Sequence, residues 1–232
     1  MQKPLQILNG YLNRGHQRSQ NIKKNILYSI FIKGGSIVIS FLLVPLTLGY
    51  LGAVDYGIWL TLSSVVAWFG FFDIGLGNGL RNKFAEALAL GNRELARSYV
   101  STTYFGLSVI FGILWLIFIV VSFFLDWNTI FNAPPNGSQN LHILVVYVFS
   151  LFLIRFVLKL LSVIIIADQR PAVSNTFDPL SNVISLIVIY ILTITTKGSL
   201  MYLGIAVTAS PVIVLALASV YFFRRDYRDF RP

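Results

Sequence analysis

Five ionisable side chains lie inside long apolar stretches of this 232-residue sequence: Lys33, Asp73, Arg155, Lys159 and Asp178. A charged side chain at the centre of a membrane helix costs about 2.5–3.5 kcal/mol on insertion scales, so such residues usually face water or a bundle interior. Arg155 and Lys159 are one helical turn apart and share a face. We therefore predict a cationic patch that binds an anionic substrate, with Arg155 as its main contact and Lys159 and Lys33 as further contacts. Asp73 and Asp178 are expected to form ion pairs or to couple an ion.

The depth of each charge in its stretch predicts which charges pair. With a rise of about 1.5 Å per residue, Arg155 lies roughly 18 Å deep and the other four charges lie roughly 10–12 Å deep. We expect Lys33 to pair with Asp73 and Lys159 to pair with Asp178, which leaves Arg155 for an anion in a wet cavity. Alternatively, the lysines extend to the membrane surface and Arg155 bonds to backbone carbonyls.

Six apolar stretches, each about 20 residues or more as a spanning helix requires, must position these charges. They predict an all-α polytopic membrane protein, a six-transmembrane-helix bundle over 25–223. Residues 1–24 form a basic arm, either an interfacial helix with Leu5, Leu8 and Leu12 at helical spacing or a disordered tail. Residues 224–232 form a tail or a linker. The six stretches are 25–48, 57–80, 100–125, 141–167, 172–195 and 200–223.

Composition supports a membrane protein and excludes several other classes. Hydrophobic residues make up 56% of the chain and charged residues 12%, against about 45–50% and about 25% in soluble domains. There are no cysteines and only two histidines, so we expect no enzymatic activity, no cofactor and no metal site. The net charge of +9 comes mainly from Lys and Arg in the flanks of one side. This asymmetry predicts that both termini are cytoplasmic and argues against nucleic acid as a partner.

Prolines and polar residues inside the stretches are typical of a transporter rather than of a simple anchor. Pro45, Pro179 and Pro211 are expected to bend the first, fifth and sixth spans, because each removes one backbone hydrogen bond. The first span carries Lys33, Ser36 and Ser40 on one helical face. Serine and asparagine also pack helices together in membranes, so the uncharged positions are equally consistent with packing.

Three segments resemble the N-terminal part of bacterial oligosaccharide flippases of the O-antigen type. They are residues 52–59 (GAVDYGIW), 73–83 (DIGLGNGLRNK) and 85–96 (AEALALGNRELA). These flippases are the polysaccharide-biosynthesis branch of the multidrug/oligosaccharidyl-lipid/polysaccharide exporter superfamily. The resemblance implies one lobe of a two-lobe exporter in the bacterial cytoplasmic (inner) membrane.

The resemblance also implies a substrate and partners. The cargo would be undecaprenyl-diphosphate-linked oligosaccharide, and the partners would be membrane lipids and a second six-helix lobe. Because family members usually have a dozen or more spans, we expect either a truncated chain or a half-size protein that associates. Multidrug efflux within the same superfamily and a non-transporting scaffold for glycan assembly are the alternatives. The net positive charge within the spans disfavours cationic drugs, and the polar stripes disfavour a scaffold.

Overall fold

The computed structural model describes residues 17–68, 73–134 and 141–232, without the side chains at 17–27, 29 and 73–76. Within these ranges all regular secondary structure is helical. The helices are α1 (Gln17–Leu51), α2 (Ala53–Trp68), α3 (Asp73–Ala89), α4 (Arg93–Ser122), α5 (Trp127–Ile130), α6 (Leu141–Leu158), α7 (Leu160–Ala167), α8 (Pro171–Ser174), α9 (Phe177–Thr195) and α10 (Leu200–Arg224), followed by a 3₁₀ turn at Arg228–Phe230.

Local sequence explains where several helices begin. Asn92 caps α4 by accepting a hydrogen bond from the backbone N–H of Leu95 at 3.0 Å, immediately after Gly91 turns the chain with φ +68°. Asp126 caps α5 through the backbone N–H of Asn128. Bonds from the Thr129 hydroxyl and the Asn128 amide stabilise the carboxylate and lower the pKa of Asp126. The capping residues therefore fix the short connections between the long helices.

Among the residues that the structure describes, five helical stretches are long and apolar enough to cross a membrane, as expected of a multi-pass membrane protein. They are Ile30–Leu51, Arg93–Ser122, Leu141–Ala167, Pro171–Thr195 and Leu200–Arg224. Each corresponds to one of the six stretches predicted from the sequence. The predicted span at 57–80 is not among them, because residues 69–72, between α2 and α3, lie outside the described part of the chain. The count of six spans therefore stays a prediction.

At one end of the bundle, the connections before α4 and α8 meet the residues that follow α10. Arg93, at the start of α4, pairs with Asp229 of the tail at 2.7 Å, and Arg170, just before α8, pairs with Asp226 at 2.6 Å. Because these pairs link the connections before α4 and α8 to the tail, we call this the charged end. Its buried core includes Phe84, Leu161, Ile164, Phe177 and Phe222.

At the opposite end of the bundle, the end of α1 contacts the connection between α9 and α10. The hydroxyls of Tyr50 and Thr196 are 2.8 Å apart, and Trp59 of α2 is buried in a second core cluster near this end. Helix α2 contributes to this cluster and α3 to the charged-end cluster. The described parts of the predicted second span thus belong to two different core clusters.

Pro179 opens α9 rather than bending it. We expected bends at three prolines, and Pro45 and Pro211 do lie inside α1 and α10. Helix α9, however, begins at Phe177, so Pro179 falls in its first turn. The first N–H groups of a helix have no intrahelical acceptor, so proline there removes no hydrogen bond. The expected bend inside a continuous fifth helix is wrong for this residue, because the break comes before it.

Candidate anion-binding cavity

A cavity of about 280 Å³ lies among α3, α6, α7, α9 and α10, near the charged end. It brings together three of the five charges singled out in the sequence: Arg155, Lys159 and Asp178. Arg81 of α3 adds a third cation, which leaves an excess of two formal positive charges on the lining. The lining residues are Gly77, Asn78, Arg81, Arg155, Lys159, Ser162, Val163, Ile166, Ser174, Asn175, Phe177, Asp178 and Leu215.

Arg155 is paired with Asp178. Its Nη2 donates to Asp178 Oδ1 at 2.9 Å. We expected Arg155 to lack a carboxylate, and this expectation is corrected, whereas the expected pairing of Lys159 with Asp178 stays a prediction. The Arg155 side chain is 38% exposed and that of Asp178 is 69% exposed, so the pair is only partly enclosed. Partly exposed ion pairs are weak, and a competing ligand could therefore displace the carboxylate.

Two interruptions in the helices position this pair. The helical path pauses at Lys159, between α6 and α7, where the Lys159 carbonyl accepts from the N–H groups of both Ser162 and Val163, at 2.9 and 3.4 Å. A second pause between α8 and α9 places Asp178 in the first turn of α9. The positive end of the helix dipole favours a carboxylate at this position. Both pauses lie on the cavity wall, so they bring helix ends as well as side chains to the site.

Arg81, Asn78 and Asn175 also line the cavity, although we did not predict them as site residues. Arg81 is one of several basic residues that flank the predicted spans, and its charge alone does not mark it as a site residue. A usable signal was present, because Gly77 and Arg81 are four residues apart and so share one face of a helix, with Asn78 beside them. The lining therefore adds two amides to the cations, and amides donate hydrogen bonds to anionic oxygens.

Lys33 and Asp73 are not placed at this cavity by the described side chains. Lys33 is exposed on α1, where it lines an open surface groove with Ser36 and Ser40. Asp73 begins α3, but its side chain lies outside the described residues. The expected Lys33–Asp73 pair, and the role of Lys33 in substrate binding, therefore stay predictions.

The cavity has the chemistry of an anion site. A guanidinium is planar and carries five N–H donors, and the bond to Asp178 engages Nη2 of Arg155. Arg155 can thus present further donors to a carboxylate or phosphate, while Lys159 and Arg81 add charge. In the part of the chain that the structure describes, no group of three or more His, Asp or Glu side chains is close enough to hold a metal ion.

Compared with protein-family models, curated proteins and solved structures, the chain has no match in any of the three. The resemblance to oligosaccharide flippases therefore depends on the sequence segments alone.

Proposed function

We propose that the chain is one lobe of a flippase that moves undecaprenyl-diphosphate-linked oligosaccharide across the bacterial cytoplasmic membrane. The single observation that carries this proposal is the cavity in which Arg155, Lys159 and Arg81 outnumber Asp178. It lies within a bundle whose helices are long enough to cross a membrane. In this proposal the charged end is cytoplasmic, both termini lie on that side, and a second six-helix lobe completes the transporter.

A diphosphate headgroup suits the lining. Phosphate oxygens accept two parallel hydrogen bonds from one guanidinium, which makes Arg155 the orienting contact. Lys159 and Arg81 contribute as point charges at the same cavity. The sugars and the polyprenyl chain would occupy polar and lipid-facing space that the second lobe helps to form.

In this proposal, Asp178 bonds to Arg155 until the substrate binds. It holds Arg155 when the cavity is empty, and an entering diphosphate replaces it as the acceptor for the guanidinium. The carboxylate therefore competes with the cargo. This role predicts that neutralising Arg155 weakens the binding of diphosphate and that neutralising Asp178 strengthens it.

The test measures binding of inorganic diphosphate to the purified chain in nanodiscs by titration calorimetry. Arg155→Gln removes a charge-assisted bond, whose contribution of about 1.5 kcal/mol at the weak end corresponds to about tenfold weaker binding. Asp178→Asn removes the competitor and strengthens binding. Arg225→Gln is the matched control, because Arg225 is also exposed near the charged end but bonds to Tyr221 outside the cavity.

Opposite signs in the two cavity variants, with an unchanged control, support the proposal. If a cationic drug is the cargo, the signs reverse: Asp178→Asn weakens binding of a cationic dye and Arg155→Gln strengthens it. Failure of diphosphate to bind at all would refute the anion site. In the native host, deletion of the gene should leave finished lipid-linked glycan on the cytoplasmic leaflet, and the wild-type gene but not Arg155→Gln should restore export.

A further inference from the structure

The residues after α10 fold back across the charged end. We call residues 226–230 the tail strap. Its backbone turns where the N–H of Tyr227 donates to the carbonyl of Phe222 at 2.8 Å. Tyr227 and Phe230 are buried, with 3% and 8% of their surfaces exposed, whereas the two aspartates of the strap reach outward to arginines. The strap is therefore packed into the bundle rather than lying loosely on it.

One side of the strap holds the segment between α7 and α8. The hydroxyl of Tyr227 donates to Asp168 Oδ2 at 2.9 Å, and Asp226 pairs with Arg170 at 2.6 Å. Arg170 also lies over the ring of Phe222, 5.7 Å from its centroid. Burial, together with the bond to Asp168, raises the pKa of Tyr227. Its hydroxyl thus stays protonated, and remains a donor, throughout the physiological range.

The other side of the strap holds α3 and the start of α4. The ring of Phe230 meets that of Phe84 edge-on, with 5.3 Å between centroids, and Phe84 is fully buried. Asp229 pairs with Arg93 at 2.7 Å. Phe84 follows Arg81 by three residues on α3, so this contact lies one helical turn from the cavity lining.

The two segments held by the strap continue into two different parts of the cavity wall. Helix α3 contributes Gly77, Asn78 and Arg81, whereas α8 and the residue after it contribute Ser174 and Asn175. We infer that the tail strap ties these two walls together and sets the width of the cavity mouth. Release of the strap lets the α3 wall and the α8–α9 wall separate.

The contacts of the strap are unequal. The Arg93–Asp229 pair is 73% and 57% exposed, and pairs this exposed contribute little. In the Arg170–Asp226 pair the side chains are 40% and 27% exposed, and the Tyr227–Asp168 bond involves a buried ring. The informative substitutions are therefore Asp226→Asn and Tyr227→Phe, which remove the bonds to the α8 side and keep the shape of each side chain.

Distances between spin labels test the inference. The chain contains no cysteine, so Asn82→Cys on α3 and Thr176→Cys before α9 provide two unique label sites without further changes. Both residues are exposed, and neither is among the cavity-lining residues. Pulsed electron resonance then gives the distance distribution between the two walls in nanodiscs, without any anion present.

In the Asp226→Asn/Tyr227→Phe background we expect the distribution to move to longer distances and to broaden. Tyr227→Phe alone is expected to shift it less, in the same direction, and provides a milder variant if the double variant folds poorly. Tyr221→Phe is the matched control, because it removes a tyrosine–arginine bond at the same end of α10 without touching either wall. It should leave the distribution unchanged.

A wild-type distribution in the double variant would overturn the inference. The role of the strap in cargo entry rests on the proposed function, whereas the label distances between the two walls test the strap independently of it. If the label distances lengthen in the double variant but the chain does not bind diphosphate, the inference about the strap holds and the proposed function is refuted. If the chain binds diphosphate but the distances do not change, the proposed function is supported and the inference about the strap is overturned.

Discussion

Gly204 of α10 packs against α6, and a single methyl group tests this contact. A Cβ at position 204 would lie 2.5 Å from Leu144 Cδ1 and 3.6 Å from Val148 Cγ2. Leu144 is only 2% exposed, so its side chain has little space into which to move. Overpacking of a close-packed core costs about 1–3 kcal/mol, and the better helix propensity of alanine offsets about 1 kcal/mol. We expect Gly204→Ala to lower the free energy of unfolding by up to about 2 kcal/mol.

The assay is reversible unfolding in mixed dodecyl maltoside and dodecyl sulfate micelles, followed by circular dichroism. Gly112→Ala in α4 is the control, because a Cβ there meets nothing within 4 Å. It should leave stability unchanged or raise it slightly. Leu144→Ala makes room for the new methyl, so the double variant should be more stable than the sum of the two single effects predicts. If Gly204→Ala is as stable as the wild type and the two effects simply add, the proposed α6–α10 contact is incorrect.

Two further predictions concern charged and titratable groups. In a double-mutant cycle of Arg155→Gln and Asp178→Asn, the partial exposure of the pair predicts a coupling energy of about 0.2–1 kcal/mol, measured by the same unfolding assay. A value near 3–5 kcal/mol would indicate instead a pair sealed from water. For Tyr227, whose pKa is raised above its ordinary value of 10.0, the folded state holds the proton more tightly than the unfolded state. Its contribution to stability is therefore constant below pH 10 and decreases as the pH rises above it, whereas Tyr227→Phe loses this alkaline dependence; an identical pH profile in both proteins would contradict the burial of the phenol.

The lengths of the apolar stretches predict most of the helical framework, since helix position in a membrane follows from hydrophobic length. The predicted stretch 200–223 and the observed Leu200–Arg224 differ by one residue. Helix α4 begins at Arg93, before the predicted span at 100–125. A hydropathy criterion counts only apolar residues, but the helix is set by the Asn92 cap and continues through polar sequence. Helices therefore extend beyond the segments that the membrane itself selects.

The candidate site is harder to predict, because pairing depends on direction as well as depth. We paired Lys159 with Asp178 because both lie at similar depth in straight helices. The chain pauses at Lys159 and again before Phe177, so neither segment is one straight helix. Arg155, which we expected to lack a carboxylate, therefore reaches Asp178. The Arg170–Asp226 pair joins residues 56 positions apart, and no local sequence pattern predicts an ion pair between residues so far apart.

The same interruptions explain how the bundle holds its charges without a cargo. A carboxylate in a continuous helix within hydrocarbon would have no backbone donor, because every N–H is already bonded to a carbonyl. The break before α9 gives Asp178 a place in the first turn, where N–H groups have no intrahelical acceptor and the helix dipole is positive. Arg155 lies one turn before Lys159, where the Lys159 N–H still donates to the Arg155 carbonyl at 2.9 Å, so its charge is stabilised by Asp178 rather than by a free helix end. Asp178 is thus stabilised by its own helix end as well as by its partner. An anion that displaces Asp178 from Arg155 consequently leaves the carboxylate at a position that still favours it, and this makes exchange of one acceptor for another feasible within the cavity.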